Sequence, residues 1–180
     1  LEALRDQRRM ARANGTRDRT RLVVASCAHL PLEADSFDRV VGIGILHHLQ
    51  EDLHTPCAEV SRILKPDGFA VFEEPIIRSA ALKQLRTYVP VPPPRDASPH
   101  CRPLEGAALQ HFARYFHAET YSFGLFSRFE RLLLGGRPLE FAPWWRKAAV
   151  YGLHYLDYVL FRIRGFDHFA GVVVLKLLRR

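Results

Sequence analysis

The sequence predicts an α/β fold, a mainly parallel sheet sandwiched between helices, on three observations. Val40, Val41, Ile43, Ile45 and Leu46 form a nearly continuous apolar run without alternation, as expected of a strand covered on both faces. Val60, Ile63 and Leu64 then recur at helical spacing behind Thr55, a capping residue type, and Pro56, which suits a first helical turn. Lys65-Pro66-Asp67-Gly68 supplies a stop and a turn before a second apolar run at residues 69–72. Strand, short helix and strand make one βαβ unit. Its crossover should be right-handed, and its ligand edge should lie at the carboxyl ends of the strands. Those ends carry Leu46-His47-His48 and Glu73-Glu74-Pro75.

The remaining elements follow in chain order. Leu1, Leu4, Arg8, Ala11 and Arg12 keep helical spacing, and Asn14-Gly15 stops that helix. Seven arginines fall from Arg5 to Arg21. A nucleic-acid arm is one reading of them, but a basic helix without interleaved aromatics reads better as a solvated outer face. Residues 21–25, RLVVA, read as a strand. Ile77, Ala80, Ala81 and Leu85 suggest a helix over 76–86. Residues 89–103 hold six prolines, which no regular element tolerates, so they form a loop that includes His100 and Cys101. A helix over 104–116 would place Leu109, Phe112, Ala113 and Phe116 on one face, and residues 120–126 read as an aromatic strand.

Residues 127–165 form an inserted helical and aromatic segment. RFERLLL is a short helix, broken by Gly135-Gly136 and Pro138, and Pro143 opens a longer one whose apolar positions surround much of its circumference. That helix can pack on the sheet, line an apolar acceptor pocket with Trp144, Trp145, Tyr151 and Tyr155, or lie on a membrane surface with Arg146 and Lys147 toward phosphates. Asp157, isolated among aromatics, is expected to pair with a nearby arginine such as Arg162. Residues 169–178 form the last strand.

A chain of 180 residues with 48% hydrophobic content can bury one sizeable core, so residues 1–180 are expected to form a single domain. Cys27, Cys57 and Cys101 are too few and too scattered for a disulfide framework, which fits a reducing cytoplasm. No run approaches the ~18 to 20 consecutive apolar residues of a membrane span. The net charge of +7 fits an anionic partner or simply an arginine-rich composition. Adjacent histidines point to different sides of a chain, and no third ligand stands at metal spacing beside His47, His48 and His54, so no metal is expected.

SFDRVVGIGILHHL followed by EVSRILKPDGFAVFEEP resembles the fourth and fifth strands of class I S-adenosylmethionine-dependent methyltransferases, in the small-molecule group that includes the ubiquinone/menaquinone-type enzymes. ASCAHLPLEADSFD is similar to that family's segment preceding the fourth strand, so the resemblance covers residues 21–75. It implies a Rossmann-like sandwich with one antiparallel strand, the last, lying between the fifth and sixth. The family's first strand, with its acidic residue and Gly-x-Gly loop, and its second strand with a ribose-binding acid are missing from the pattern. Gly42-Ile43-Gly44 lies within a strand and is no substitute phosphate loop. The expectation is a chain truncated at its N-terminus. Its RLVVA strand would either face a gap or pair with the open edge of the Val40 strand.

The resemblance implies S-adenosyl-L-methionine as cofactor, with Cys27, Ala28, His29, Gly42, Ile43, Gly44 and His47 on the cofactor side. Cys27 stands where the family carries an aspartate that accepts from the adenine amino group; it is a poor acceptor and reads equally as a small packed thiol. The loop after the fifth strand would cover the substrate. His47, His48 and Glu74 are the catalytic candidates, with a histidine near its ordinary pKa of ~6.5 able to take a proton from a hydroxyl nucleophile. Glu73 and Glu74 could each orient substrate, face a sulfonium, or solvate a strand end.

The implied function is methyl transfer to an O, N or C nucleophile of a small, apolar or lipid-like acceptor, with the chain alone binding cofactor weakly or not at all. Alternatives are an RNA or tRNA methyltransferase using the basic first helix, and a non-catalytic methyltransferase-like subunit that meets a partner at its sheet edge. A peripheral membrane contact and a homo-oligomer are both compatible with the sequence; nucleic acid is the less favoured partner.

Overall fold

The computed structural model describes residues 2–80, 83–84, 102–135 and 138–180. They divide into two compact units, Leu1–Pro31 and Leu32–Arg180. In the first unit, α1 (Glu2–Ala13) ends as expected, with Gly15 at φ +63° accommodating the left-handed turn that closes a helix. Residues 21–25 form no strand. Ser26 and His29 make an isolated antiparallel bridge, and Val23 and Val24 are exposed. The expected RLVVA strand is thus corrected to chain without regular structure: apolar content favours a strand only where a ladder partner exists.

The second unit is built on a mixed sheet of β1 (Phe37–Ile43), β2 (Leu64–Ile77), β3 (Leu104–Glu105), β4 (Phe116–Phe123) and β5 (Val172–Arg179), in the order β1-β2-β5-β4 with β3 beside the end of β2. β1 and β2 run parallel, Val40 opposite Ala70 and Val41 opposite Val71, joined by α2 (His54–Ile63). β5 runs antiparallel to both β2 and β4, which is the expected place for the reversed last strand. It begins at Val172 rather than residue 169, because residues Phe166–Phe169 form a 3-10 turn.

Several boundaries move for identifiable reasons. β2 starts at Leu64, and Lys65-Pro66-Asp67-Gly68 forms a bulge within it: the register passes from Phe37–Leu64 to Arg39–Phe69. Lys65 Nζ pairs with Asp38 at 2.7 Å across this bulge and holds the Asp38 carboxyl below its ordinary range. α2 is capped by Asp52, which accepts from the Thr55 N–H at 3.1 Å, and not by Thr55 itself. Ile76 and Ile77 belong to β2, leaving helical residues only from Ala80 in the described part of the expected 76–86 helix. The helix expected over 104–116 is a 3-10 run, Gly106–Arg114, flanked by β3 and β4. β4 ends at Phe123 because Gly124 turns the chain at φ +80°, and the short helix α3 (Glu130–Leu134) follows. The proline-rich loop expected over 89–103, with its substrate-covering role, falls outside the described residues up to Cys101.

Ala70, Phe72, Glu74 and Ile76 of β2 and Val173, Leu175 and Leu177 of β5 face one side, where Leu53 and Cys57 of the α2 region and Phe112 and Phe116 complete the core. The opposite face is open on β1: Val41 is 70% and Ile43 74% exposed. Within residues 32–180, then, helices cover one side of the sheet at β1, and the run read as covered on both faces is covered on one.

Two tests arise from this core. A Cβ on Gly42 would collide with the Phe72 ring, itself buried at 4% exposure. Gly42→Ala should destabilise the fold by about 1–3 kcal/mol, the range for overpacking, with partial rescue by Phe72→Leu in chemical denaturation. Burial pushes the Cys57 thiol up to about 12, with the Asp52 charge adding to it. A folded-state value above the unfolded one means the contribution is whole below about pH 9 and is lost as pH rises toward 12, because the unfolded chain ionises first. Cys57 should resist iodoacetamide at pH 8 in the folded protein and label fully in denaturant, as read by peptide mass spectrometry.

Candidate functional site

At the carboxyl end of β1 the chain must leave the sheet sharply. Gly44, at φ +62°, makes that exit and donates its N–H to the Glu73 carbonyl at 2.8 Å. A 3-10 turn, Leu46–His48, follows directly. The first N–H groups of such a turn have no partners within it.

Glu74 supplies those partners. It follows Ala70 and Phe72 in strand parity, so its carboxylate enters the covered side of the sheet, at 0% exposure. Oε1 accepts from Ile45 N–H at 2.8 Å and Leu46 N–H at 2.7 Å, and Oε2 accepts from His47 N–H at 3.3 Å and from His47 Nδ1 at 2.8 Å. A buried carboxylate needs this many donors to offset its lost hydration. Because a carboxylate only accepts, Nδ1 carries a proton toward Glu74, and Nε2 is the ring nitrogen left to take up or release one. His47 is 8% exposed; His48 is exposed and lies against it with ring centroids 4.0 Å apart. Gln50 secures the far side of the turn, its Nε2 donating to the His47 carbonyl at 3.0 Å.

The structure therefore brings Glu74, His47 and His48 together at the ends of two adjacent parallel strands, and it separates the two glutamates: Glu73 is exposed, Glu74 buried. Gly42 and Ile43 precede this turn on β1, Gly42 under the Phe72 ring and Ile43 on the open face. Cys27, Ala28 and His29 lie in the first unit. There the Ala28 N–H is taken by Ser26 Oγ at 3.2 Å and the His29 N–H by the Ser26 carbonyl at 3.0 Å.

Sequence reasoning missed the backbone half of the Glu74 role. It also misassigned Asp157. This residue does not pair with Arg162, which instead donates to the Tyr158 hydroxyl. Asp157 is 1% exposed on α4 (Trp144–Leu160), and its carboxylate accepts the N–H groups of Gly124, Leu125, Phe126 and Ser127 at 2.8–3.2 Å and the Ser127 hydroxyl at 2.7 Å. It is a structural latch between α4 and the turn after β4. Among the described residues, no group of three His, Cys, Asp or Glu side chains could hold a metal.

A strand-end turn with a left-handed glycine and a fixed imidazole fits the rim of a nucleoside-type site, where backbone and ring edges meet a flat ligand. A Cβ on Gly44 would come no nearer than 3.6 Å to the His47 ring, so the backbone there is open to close approach. The site's acidic groups are one committed carboxylate, Glu74, and one exposed one, Glu73.

Residues 2–72 match the family described as a methyltransferase domain. A stretch of 78 residues, 43% of the chain, is 33% identical to the methyltransferase GfsG of Streptomyces halstedii and spans 27% of that protein. Among solved structures, the geranyl diphosphate C-methyltransferase of Streptomyces coelicolor A3(2), in complex with Mg2+, geranyl diphosphate and S-adenosyl-L-homocysteine, superposes with a TM-score of 0.58 at 16% identity, over 96% of this chain and 58% of that one. The [4+2]-cyclase SpnF gives 0.53 at 19% identity, over 94% and 60%. The chain thus spans less than two thirds of the length of these relatives. The shared architecture is the Rossmann-like fold, which alone does not fix an activity.

Proposed function

We propose, from the match of residues 2–72 to the methyltransferase-domain family, that the protein transfers a methyl group from S-adenosyl-L-methionine to a nucleophile on a small apolar or lipid-like acceptor. The observation that carries this reading is the Glu74-anchored turn: one buried carboxylate orders three backbone N–H groups and an imidazole at the carboxyl ends of β1 and β2. When bound, the cofactor supplies an electrophilic methyl group on a sulfonium.

The chain's own residues do the rest. Residues 44–48 form the rim that positions the donor, and methyl transfer asks mainly for in-line placement and exclusion of water. His47, with its proton fixed on Nδ1, holds Nε2 as the acceptor for a proton released from a hydroxyl or amine nucleophile. Glu74 is a positioning residue that acts through His47. His48, exposed beside it, would meet the acceptor side.

The test is incubation of the protein with methyl-labelled S-adenosylmethionine and apolar acceptors, beginning with allylic diphosphates because a structural neighbour binds one. Label should appear in the small molecule, and His47→Ala should lower kcat by about 10²-fold or more with little change in KM, the size of a lost general base. Absence of label from every acceptor, together with no S-adenosylhomocysteine binding, would remove the reading.

A further inference from the structure

α4 is an inside-out helix. Val150 and Asp157, two turns apart, fix it to the protein at 2% and 1% exposure. At ~100° per residue, Trp144, Ala148, Tyr151, Gly152, Tyr155 and Val159 share an arc of roughly 100° on the side facing away from that anchor. Every one of them is exposed: Trp144 80%, Tyr155 68% and Tyr151 63%. Polar sequence on an outer helix face needs no explanation, but a contiguous exposed aromatic stripe does.

Its chemistry selects among possible partners. The stripe is made of Trp and Tyr, rings with an apolar body and a polar tip; just past the helix Arg162 stacks over Tyr158 at 4.2 Å, while Arg146, over Trp145 at 5.0 Å, lies on the anchored side with its Nε buried. Between residues 144 and 164 there are four basic side chains, Arg146, Lys147, Arg162 and Arg164, and one acid, Asp157, whose carboxylate is buried and satisfied. The exposed Arg162 and Arg164 give the stripe a positive border at its C-terminal end, which matches a phosphate-rich surface; of the neighbouring acids, Glu130 is paired with His154 and Glu140 lies before the helix. The helix has 17 residues, roughly 26 Å at 1.5 Å per residue, and no helix among the described residues is long and apolar enough to cross a membrane.

We propose that α4 docks the protein on an anionic lipid surface, with Trp144, Tyr151 and Tyr155 in the headgroup region and Arg162 and Arg164 toward lipid phosphates. This is independent of the methyl-transfer reading and stands whether or not that reading does.

The test is vesicle flotation of the whole chain with phosphatidylcholine alone and with phosphatidylcholine containing a third phosphatidylserine, while tryptophan emission is recorded. Binding to the anionic vesicles with a blue shift is expected, weakened several-fold by 0.5 M NaCl. Trp144→Ser/Tyr151→Ser/Tyr155→Ser should lower the bound fraction about tenfold, since it removes the buried ring area. Arg162→Glu/Arg164→Glu should abolish the preference for anionic over neutral vesicles. All five substituted residues are exposed, so far-UV circular dichroism should be unchanged in both variants and loss of binding is then not loss of fold. Absence of binding to anionic vesicles would overturn the proposal. So would equal binding by the triple variant, or light scattering showing a dimer that the triple variant dissolves, which would make the stripe an interface between copies.

Discussion

Glu74→Ala is expected to destabilise the folded protein by about 3–5 kcal/mol, the range for removing one partner from a buried, hydrogen-bonded charge cluster. Four donors lose their acceptor at once, three backbone N–H groups and the His47 ring, and none of the three backbone groups can turn toward water without unwinding the Leu46–His48 turn. Glu74→Gln separates stability from chemistry. Its amide oxygen can replace Oε1 toward Ile45 and Leu46, while its NH2 faces His47 Nδ1 and obliges that nitrogen to accept. The ring proton then moves to Nε2. Gln should therefore cost less stability than Ala, about 1–3 kcal/mol. It should nonetheless lower kcat nearly as far as His47→Ala, with 15N chemical shifts of the ring reporting the exchanged tautomer.

Asp157→Ala should be comparably severe, again about 3–5 kcal/mol by urea denaturation, because four successive backbone N–H groups and the Ser127 hydroxyl lose a single carboxylate. Asp157→Asn is informative in a different way. Oδ2 receives three of the N–H groups and the hydroxyl, whereas Oδ1 receives only Phe126 N–H at 2.8 Å. The Asn oxygen belongs on the busier side, which sets its NH2 against the Phe126 donor. A loss of about 1–3 kcal/mol is expected, localised to residues 124–127 in amide hydrogen exchange.

These two carboxylates mark where sequence reasoning reaches its limit. β1, α2 and β2 were legible because apolar period and turn residues act locally, and the antiparallel last strand followed from resemblance. Glu74 could have been told from Glu73 by parity: it stands two residues after Phe72 and four after Ala70, on the covered face, whereas Glu73 shares the side of Val71. Asp157 likewise stands seven residues after Val150, two helical turns along the same buried stripe. What no local pattern supplies is the identity of the donors, which lie 27–33 residues away in sequence as main-chain N–H groups with no side-chain signature. RLVVA failed for the complementary reason: its composition suits a strand, but pairing is a property of the neighbour. The aromatic face of α4 was recognisable as too apolar for a solvated helix, yet only the positions of Val150 and Asp157 reveal which side is held and which is offered.

The central claim is that the Glu74-anchored turn at the ends of β1 and β2 is where the methyl donor rests. It is tested most directly by mapping backbone amide shifts of the protein during titration with S-adenosylhomocysteine. The amides of residues 44–48 should move most, and should no longer respond in Glu74→Ala. Saturation that leaves those five amides in place, with the shifts gathered elsewhere, would contradict it.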